Sequence, residues 1–190
     1  YRIERKTGAS GTYSEIATVS TNTTSYNNTG LTENISYYYR VRGYNLLVNS
    51  SYSNESNATT PVALPTAPTN LSASVASSSQ INLSWQDNAT NETGYKVERK
   101  TGASGTYSEI ASLSVGSTSY NNTGLTDGTQ YSYQVRAYNS AGNSSYSNES
   151  NGTTSMSAPT SLTATAASSS QINLSWQDNS GSESSYRIER

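Results

Sequence analysis

The sequence has no cysteine, no histidine and no phenylalanine. Without cysteine it can form no disulfide, thiolate nucleophile or zinc–thiolate site. Without histidine it lacks the commonest general base and metal ligand. Charge is scarce as well: 13% of residues are charged and the net charge is −2. No basic stripe exists to displace phosphate counterions, which argues against nucleic acid as a partner. No apolar run approaches the roughly 18 residues of a membrane helix, so no membrane span is expected in this segment. Of the 13 acidic residues only Asp87, Asp127 and Asp178 are aspartates. A paired-carboxylate active site needs two acids converging in a pocket, which small short-looped domains rarely offer. The segment is therefore read as non-catalytic, with no cofactor, no metal site and no small-molecule substrate.

Only 32% of residues are hydrophobic, yet 16 tyrosines and two tryptophans recur in regular alternation. That separates the chain from a disordered one. Residues 80–100 read QINLSWQDNATNETGYKVERK. Ile81, Leu83 and Trp85 alternate with Asn82 and Ser84, the period of a strand with one buried face. After a polar loop, Tyr95 and Val97 alternate with Lys96 and Glu98 in a second such strand. The same stretch recurs at residues 171–190, and its tail opens the chain as YRIERK. Residues 1–17 match residues 95–111 almost residue for residue, an offset of 94, and residues 77–87 match residues 168–178, an offset of 91. Periods of about 90 residues exceed any solenoid turn and fit one small domain per repeat. The expected division is a partial domain at 1–64 (rear strands, from the third on), a complete domain at 65–156, and a partial domain at 157–190 (the first three strands). The linker before the complete domain, PVALPTAP, is proline-rich and should be stiff.

The complete domain reads as seven short strands: around Leu71–Val75, Ile81–Trp85, Tyr95–Val97, Tyr107–Leu113, Thr118–Asn122, Tyr131–Ala137 and Ser144–Thr153. TGASGT at 101–106 and LTDGT at 125–129 supply the turns. No segment carries a 3.6-residue apolar period, so no helix is expected. The fold class is all-β, in tandem β-sandwiches. Pro68, Leu71, Trp85, Tyr95, Leu125, Gly128, Tyr131, Val135 and Ala137 resemble the signature of fibronectin type III domains, in the form found in secreted or cell-surface microbial proteins. The resemblance implies an immunoglobulin-like seven-stranded sandwich and an extracellular or cell-surface location. It also implies that Tyr131 and Tyr37 are corner tyrosines whose hydroxyls bond backbone near Leu125 and Leu31. It implies no single function.

Fifteen of the 20 asparagines begin an Asn-x-Ser/Thr sequon, about twice what composition alone gives. They are Asn22, Asn27, Asn34, Asn49, Asn54, Asn57, Asn70, Asn82, Asn88, Asn91, Asn121, Asn143, Asn148, Asn151 and Asn173. Two readings stand: N-linked glycans on an outward face, or an Asn/Ser/Thr-rich surface that keeps a lysine-poor protein soluble. Asp87, Asn88, Asn91 and Glu92 gather oxygens on one loop, but the sister loop from Asp178 spaces them differently, so calcium is not expected. Leu46, Leu47 and Val48 replace Ser140, Ala141 and Gly142 at a hairpin tip. They form either a contact surface or local packing against Val62 and Leu64. With exposed Tyr38, Tyr44 and Tyr138 they are the expected lateral contacts.

Residues 1–5 and 186–190 are identical, an offset of 185. Either the chain is a window on a longer array, or the front strands of one chain complete the rear strands of the next, head to tail. The expected partners are thus neighbouring copies or adjacent repeats. The main functional reading is a structural or adhesive cell-surface fibre. The alternative is a spacer array of a secreted enzyme, such as one acting on polysaccharide, whose catalytic domain lies outside this segment.

Overall fold

The computed structural model describes residues 1–189, and every regular element in it is a strand. The strands fall into two compact units, Tyr1–Ala63 and Leu64–Arg190.

The first unit holds β1 (Arg2–Thr7), β2 (Ser14–Thr18), β3 (Ser36–Arg42) and β4 (Ser56–Thr59), in one antiparallel sheet of order β2-β1-β3-β4. Its alternation is legible in β1, where Ile3 turns inward and is 6% exposed. This sheet has no facing sheet within its unit. An open groove of about 730 Å³ remains on its apolar side, lined by Tyr1, Ile3, Val19, Tyr26, Tyr39 and Val41 among others.

The second unit contains the complete domain. Its strands are β5 (Thr69–Val75), β6 (Gln80–Gln86), β7 (Gly94–Thr101), β8 (Ser108–Ser114), β9 (Ser119–Thr123), β10 (Gln130–Asn139), β11 (Gly142–Asn143) and β12 (Ser150–Thr153). One sheet runs β5-β6-β9, the other β11-β10-β7-β8 with β12 also on β10. The register brings Tyr95 opposite Ala137 and Val97 opposite Val135. Facing them, Ile81, Leu83 and Trp85 are 0, 2 and 5% exposed. Each such large apolar side chain, fully buried, is worth roughly 1.5–3 kcal/mol. Trp85 packs on Tyr95 with ring centroids 5.8 Å apart.

The expected seventh strand at 144–153 is not continuous. Residues 144–149 lie between β11 and β12 and bond through serine hydroxyls instead of a full ladder. Ser144 and Ser147 each send a backbone N–H to β10, to Ala137 O and Val135 O. Their Oγ atoms accept Ala137 N (3.0 Å) and Val135 N (3.1 Å) in return. Ser150 Oγ accepts Ala73 N on the other sheet (3.0 Å). Serine every third residue matches the period of an extended polyproline-type chain rather than the two-residue period of a strand.

The second unit ends in an antiparallel pair, β13 (Thr160–Ser168) and β14 (Gln171–Gln177). Only two of the three strands expected from 157 onward form: Tyr186–Glu189 is irregular, because the neighbours that hold its twin Tyr1–Glu4 in β1 are not beside it. Leu162, Ile172 and Leu174, equivalent to Leu71, Ile81 and Leu83, are 68, 66 and 42% exposed.

Candidate interaction surface

The outer face of the first sheet carries a ladder of alternating cations and aromatic rings. Strand alternation puts Arg40 and Arg42 of β3 on one face beside Glu4 and Lys6 of β1. Arg42 lies 4.7 Å from the Tyr52 ring, Arg40 3.7 Å from Tyr52 and 3.9 Å from Tyr13, and Lys6 5.0 Å from Tyr13 and 4.9 Å from Tyr38. Contacts of this kind are worth about 0.5–1 kcal/mol where exposed. Glu4 sits beneath, 7% exposed. It accepts Arg40 Nε (2.9 Å) and Tyr52 OH (2.7 Å), with Arg42 Nη2 at 3.4 Å. Burial pushes its carboxyl up, but the Tyr52 and Arg40 hydrogen bonds and the two arginine charges outweigh it, and the pKa is lowered. Burial and the Glu55 carboxylate push the Tyr13 hydroxyl up to about 12.

The complete domain keeps the centre and loses the continuity. Glu98 accepts Arg136 (2.8 Å), Gln134 (2.8 Å) and Tyr146 (2.8 Å). Gln134 stands where Arg40 does and Ser132 where Tyr38 does, so the aromatic pairs Arg136–Tyr146 and Lys100–Tyr107 remain separate.

Both corner tyrosines act as the resemblance implies: the Tyr131 hydroxyl accepts Thr126 N (3.0 Å) and the Tyr37 hydroxyl accepts Thr32 N (3.0 Å). The Asp87 loop uses its oxygens internally. Asp87 accepts Tyr95 OH and Ala89 N (2.9 Å), Asn88 donates to Ala67 O and Thr69 Oγ1 (both 3.0 Å), and Glu92 accepts Gly116 N (3.3 Å). The Asp178 loop repeats the pattern despite its different spacing: Asn179 donates to Ala158 O and Thr160 Oγ1 (both 2.9 Å). Among the described residues no three aspartate or glutamate side chains gather to hold a metal ion.

The apolar tip is open: Leu46, Leu47 and Val48 are 103, 90 and 64% exposed. Within the second unit Leu64 approaches Gly142, where an added Cβ would lie 3.0 Å from the Leu64 side chain. Of the three tyrosines expected to be exposed, only Tyr44 is, with Arg2 over its ring at 4.6 Å. Tyr38 and Tyr138 are half-buried, one under Lys6 and the other against Lys96 (5.6 Å) and Gly94.

The sequons divide by what their side chains already do. Asn148 brackets Leu71, accepting its N–H and donating to its O (both 2.9 Å), while Asn70 donates to Gln86 (2.9 Å). With Asn88, these amides serve the fold. Asn22 and Asn34 have φ of 63° and 54°, and stand where the complete domain has Gly116 and Gly128 at 70° and 56°. Asparagine is the non-glycine residue best suited to that region. Asn82 and Asn173 each accept the neighbouring Gln80 or Gln171 amide (2.7 and 2.8 Å). Asn27, Asn49, Asn54, Asn57, Asn121, Asn143 and Asn151 are exposed, and Asn91 is half-buried.

Two antiparallel sheets closed on a Trp–Tyr core, a corner tyrosine and a second partial copy define a tandem β-sandwich. Residues 66–153 match the fibronectin type III domain family. That segment is a fibronectin type III domain, and the chain has the tandem fibronectin type III fold. The chain is 39% identical over 92 residues to Exoglucanase B of Cellulomonas fimi, covering 47% of this chain and 8% of that protein. It is 38% identical over 81 residues to an alpha-amylase of Niallia circulans, covering 42% of this chain and 6% of that protein. Among solved structures, a two-domain fibronectin type III segment of chicken tenascin matches with TM-score 0.51 and 17% identity, over 80% of this chain and 83% of that one. Chicken CNTN1 FN1–FN3 domains match with TM-score 0.50 and 21% identity, over 81% and 55%. These two likenesses concern the fold alone.

Proposed function

We propose that this chain is a spacer segment, built of non-catalytic fibronectin type III modules, of an extracellular microbial enzyme that acts on a glucan. One observation carries the reading: both relatives are named glucan-degrading enzymes, and each is matched over one module's length in a far longer protein. Glucans are too large to enter a cell, so an enzyme acting on them works outside it. The proline-rich linker at 61–68 suits a module whose task is to hold its neighbours apart. The test is the native protein, purified and weighed. The reading expects a mass with room for a large dissimilar domain and hydrolysis of starch or cellulose, with none from residues 65–156 alone.

A second reading, the structural or adhesive surface fibre, is favoured by the recurrence of residues 1–5 at 186–190. It expects a mass assignable to many similar repeats and no hydrolysis. Under either reading, glycans would stand on exposed sequons such as Asn57, Asn121 and Asn151. Glycopeptide mapping of the native protein should then find sugar there and none at Asn88 or Asn148, whose amides the fold occupies. Sugar at Asn88 or Asn148 in folded protein would contradict this division.

A further inference from the structure

The complete domain has four sheet edges, and they are not treated alike. The β5 edge is closed from the facing sheet, where Asn148 brackets Leu71 and Ser150 Oγ accepts Ala73 N. Beyond β10, residues 144–149 run as the serine-bonded extended chain, whose three-residue period offers no ladder to a further strand. The β8 edge is bent by a bulge, where its register against β7 shifts between Val97 and Glu98, and it carries the charged Glu109. β9 has none of these devices. It pairs with β6 without a shift from Gln80↔Thr123 to Ser84↔Ser119. Among the described residues no strand lies on its other side.

The pairing fixes which groups of β9 are left open. Trp85 N bonds Thr118 O, so residues 118, 120 and 122 turn their backbone groups to β6. The N–H and C=O groups of Ser119, Asn121 and Thr123 therefore point to the open edge. The side chains of the same three residues stand exposed on the outer face of the sheet. Asn82, Ser84, Ser72 and Ser74 continue that face across β6 and β5, and no charged residue occurs in the three strands. The sister sheet instead carries Lys96, Lys100 and Arg136 on its outer face. A regular, uncharged edge rich in asparagine, serine and threonine is a template for pairing with another chain.

We propose that Asn121 carries an N-linked glycan whose task is to cover the β9 edge and the uncharged face beside it. The inference rests on the reading of exposed sequons as glycan sites given above, and adds to it a task and a rule of exclusion. Strand alternation puts the Asn121 amide and the Thr123 hydroxyl of this sequon on the same outward side, both exposed. Asn122 between them turns inward, is 5% exposed and accepts Arg99 and Tyr133, so the strand stays anchored beneath the sugar. In the transfer, Asn121 Nδ2 forms a bond to C1 of the first sugar of a lipid-diphosphate-linked oligosaccharide. The bond from C1 to the diphosphate oxygen breaks, and the lipid diphosphate leaves with that electron pair. Nδ2 gives up one proton to a base of the transferase.

The register makes the site exclusive. Asn82, a second sequon, lies directly opposite Asn121. Cross-strand partners on one face stand about 5 Å apart at Cβ, which leaves no room for two glycans side by side. Asn82 is the half-buried member, on the middle strand between Ser74 and Asn121, and it accepts the Gln80 amide (2.7 Å). The exposed edge residue takes the sugar.

Glycopeptide mapping of the native protein tests the site, with sugar expected at Asn121 and none at Asn82. Sugar at Asn57 or Asn151 with none at Asn121 overturns this inference and leaves the general reading of the sequons standing. Sugar at no sequon overturns both, and sugar on Asn82 and Asn121 of one molecule overturns the exclusion. Sedimentation velocity of the 190-residue chain, secreted from a host that attaches N-glycans, tests the task. Asn121→Gln and Thr123→Ala each remove the sequon, and should associate at concentrations about tenfold lower than the glycosylated chain. Thr123→Ser keeps the sequon and should behave as the parent does. Asn121→Lys also loses the sugar but puts a charge on the edge, and should stay as dispersed as the parent. If Asn121→Gln associates no more than the parent, or Asn121→Lys as much as Asn121→Gln, the covering role is overturned.

Discussion

Ser25–Thr29 and Ser119–Thr123 have the same five residues and different structures. SYNNT has no apolar alternation to commit it, only one tyrosine among polar residues. Beside β6 its backbone groups find ladder partners and it becomes β9; without such a neighbour it stays irregular. The same contrast separates Tyr1–Glu4, a strand between two neighbours, from Tyr186–Glu189. In this protein strand formation belongs to the pairing of sequences, not to the sequence of the strand alone.

The comparison is broken most forcefully at the tryptophans. Trp85→Ala should cost the complete domain about 3–5 kcal/mol, read as a lowered urea midpoint. Trp176→Ala in the same dilute chain should change stability by only about 0.5 kcal/mol or less, since its strand neighbours are solvated. Next come the asparagine brackets. Asn148→Ala leaves Leu71 N and O unpartnered and should cost about 1–3 kcal/mol. Asn54→Ala should be near neutral, since Asn54 donates only to the adjacent Glu55 O.

A smaller effect concerns acid. Glu4 and Glu55 in the first unit, and Glu149 and Asp127 in the second, have pKa values below their ordinary values of 4.5 and 3.8. A depressed carboxyl contributes stability that is fully present above its ordinary value and lost as pH falls through the folded one. Stability should therefore hold from neutral to about pH 4.5 and decline below it. Arg40→Gln, which gives the first unit the side chain of its sister at that position, should shrink that decline, measured as urea midpoints of the first unit at pH 7 and pH 3. An unchanged acid slope would remove Arg40 from the cause.

The alternating core was legible because Ile81, Leu83 and Trp85 state their own face. The corner tyrosines were legible through the family pattern. What escaped reading has specific causes. Ser144, Ser147 and Ser150 replace strand bonds at a period of three, a signal hidden in a serine-rich chain. Asn22 and Asn34 read as sequons, whereas the matching Gly116 and Gly128 at an offset of 94 mark left-handed turns. The cation–aromatic ladder is assembled across strands by Arg40, Arg42 and Lys6 with Tyr13, Tyr38 and Tyr52. Only the register of β1 on β3 brings those residues onto one face.

Amide hydrogen exchange of residues 25–29 and 119–123, followed in one dilute sample of the chain, tests the central contrast most directly. Slow exchange at 119–123 and fast exchange at 25–29 is the predicted result. Equal protection of the two SYNNT segments in the dilute chain would contradict the account.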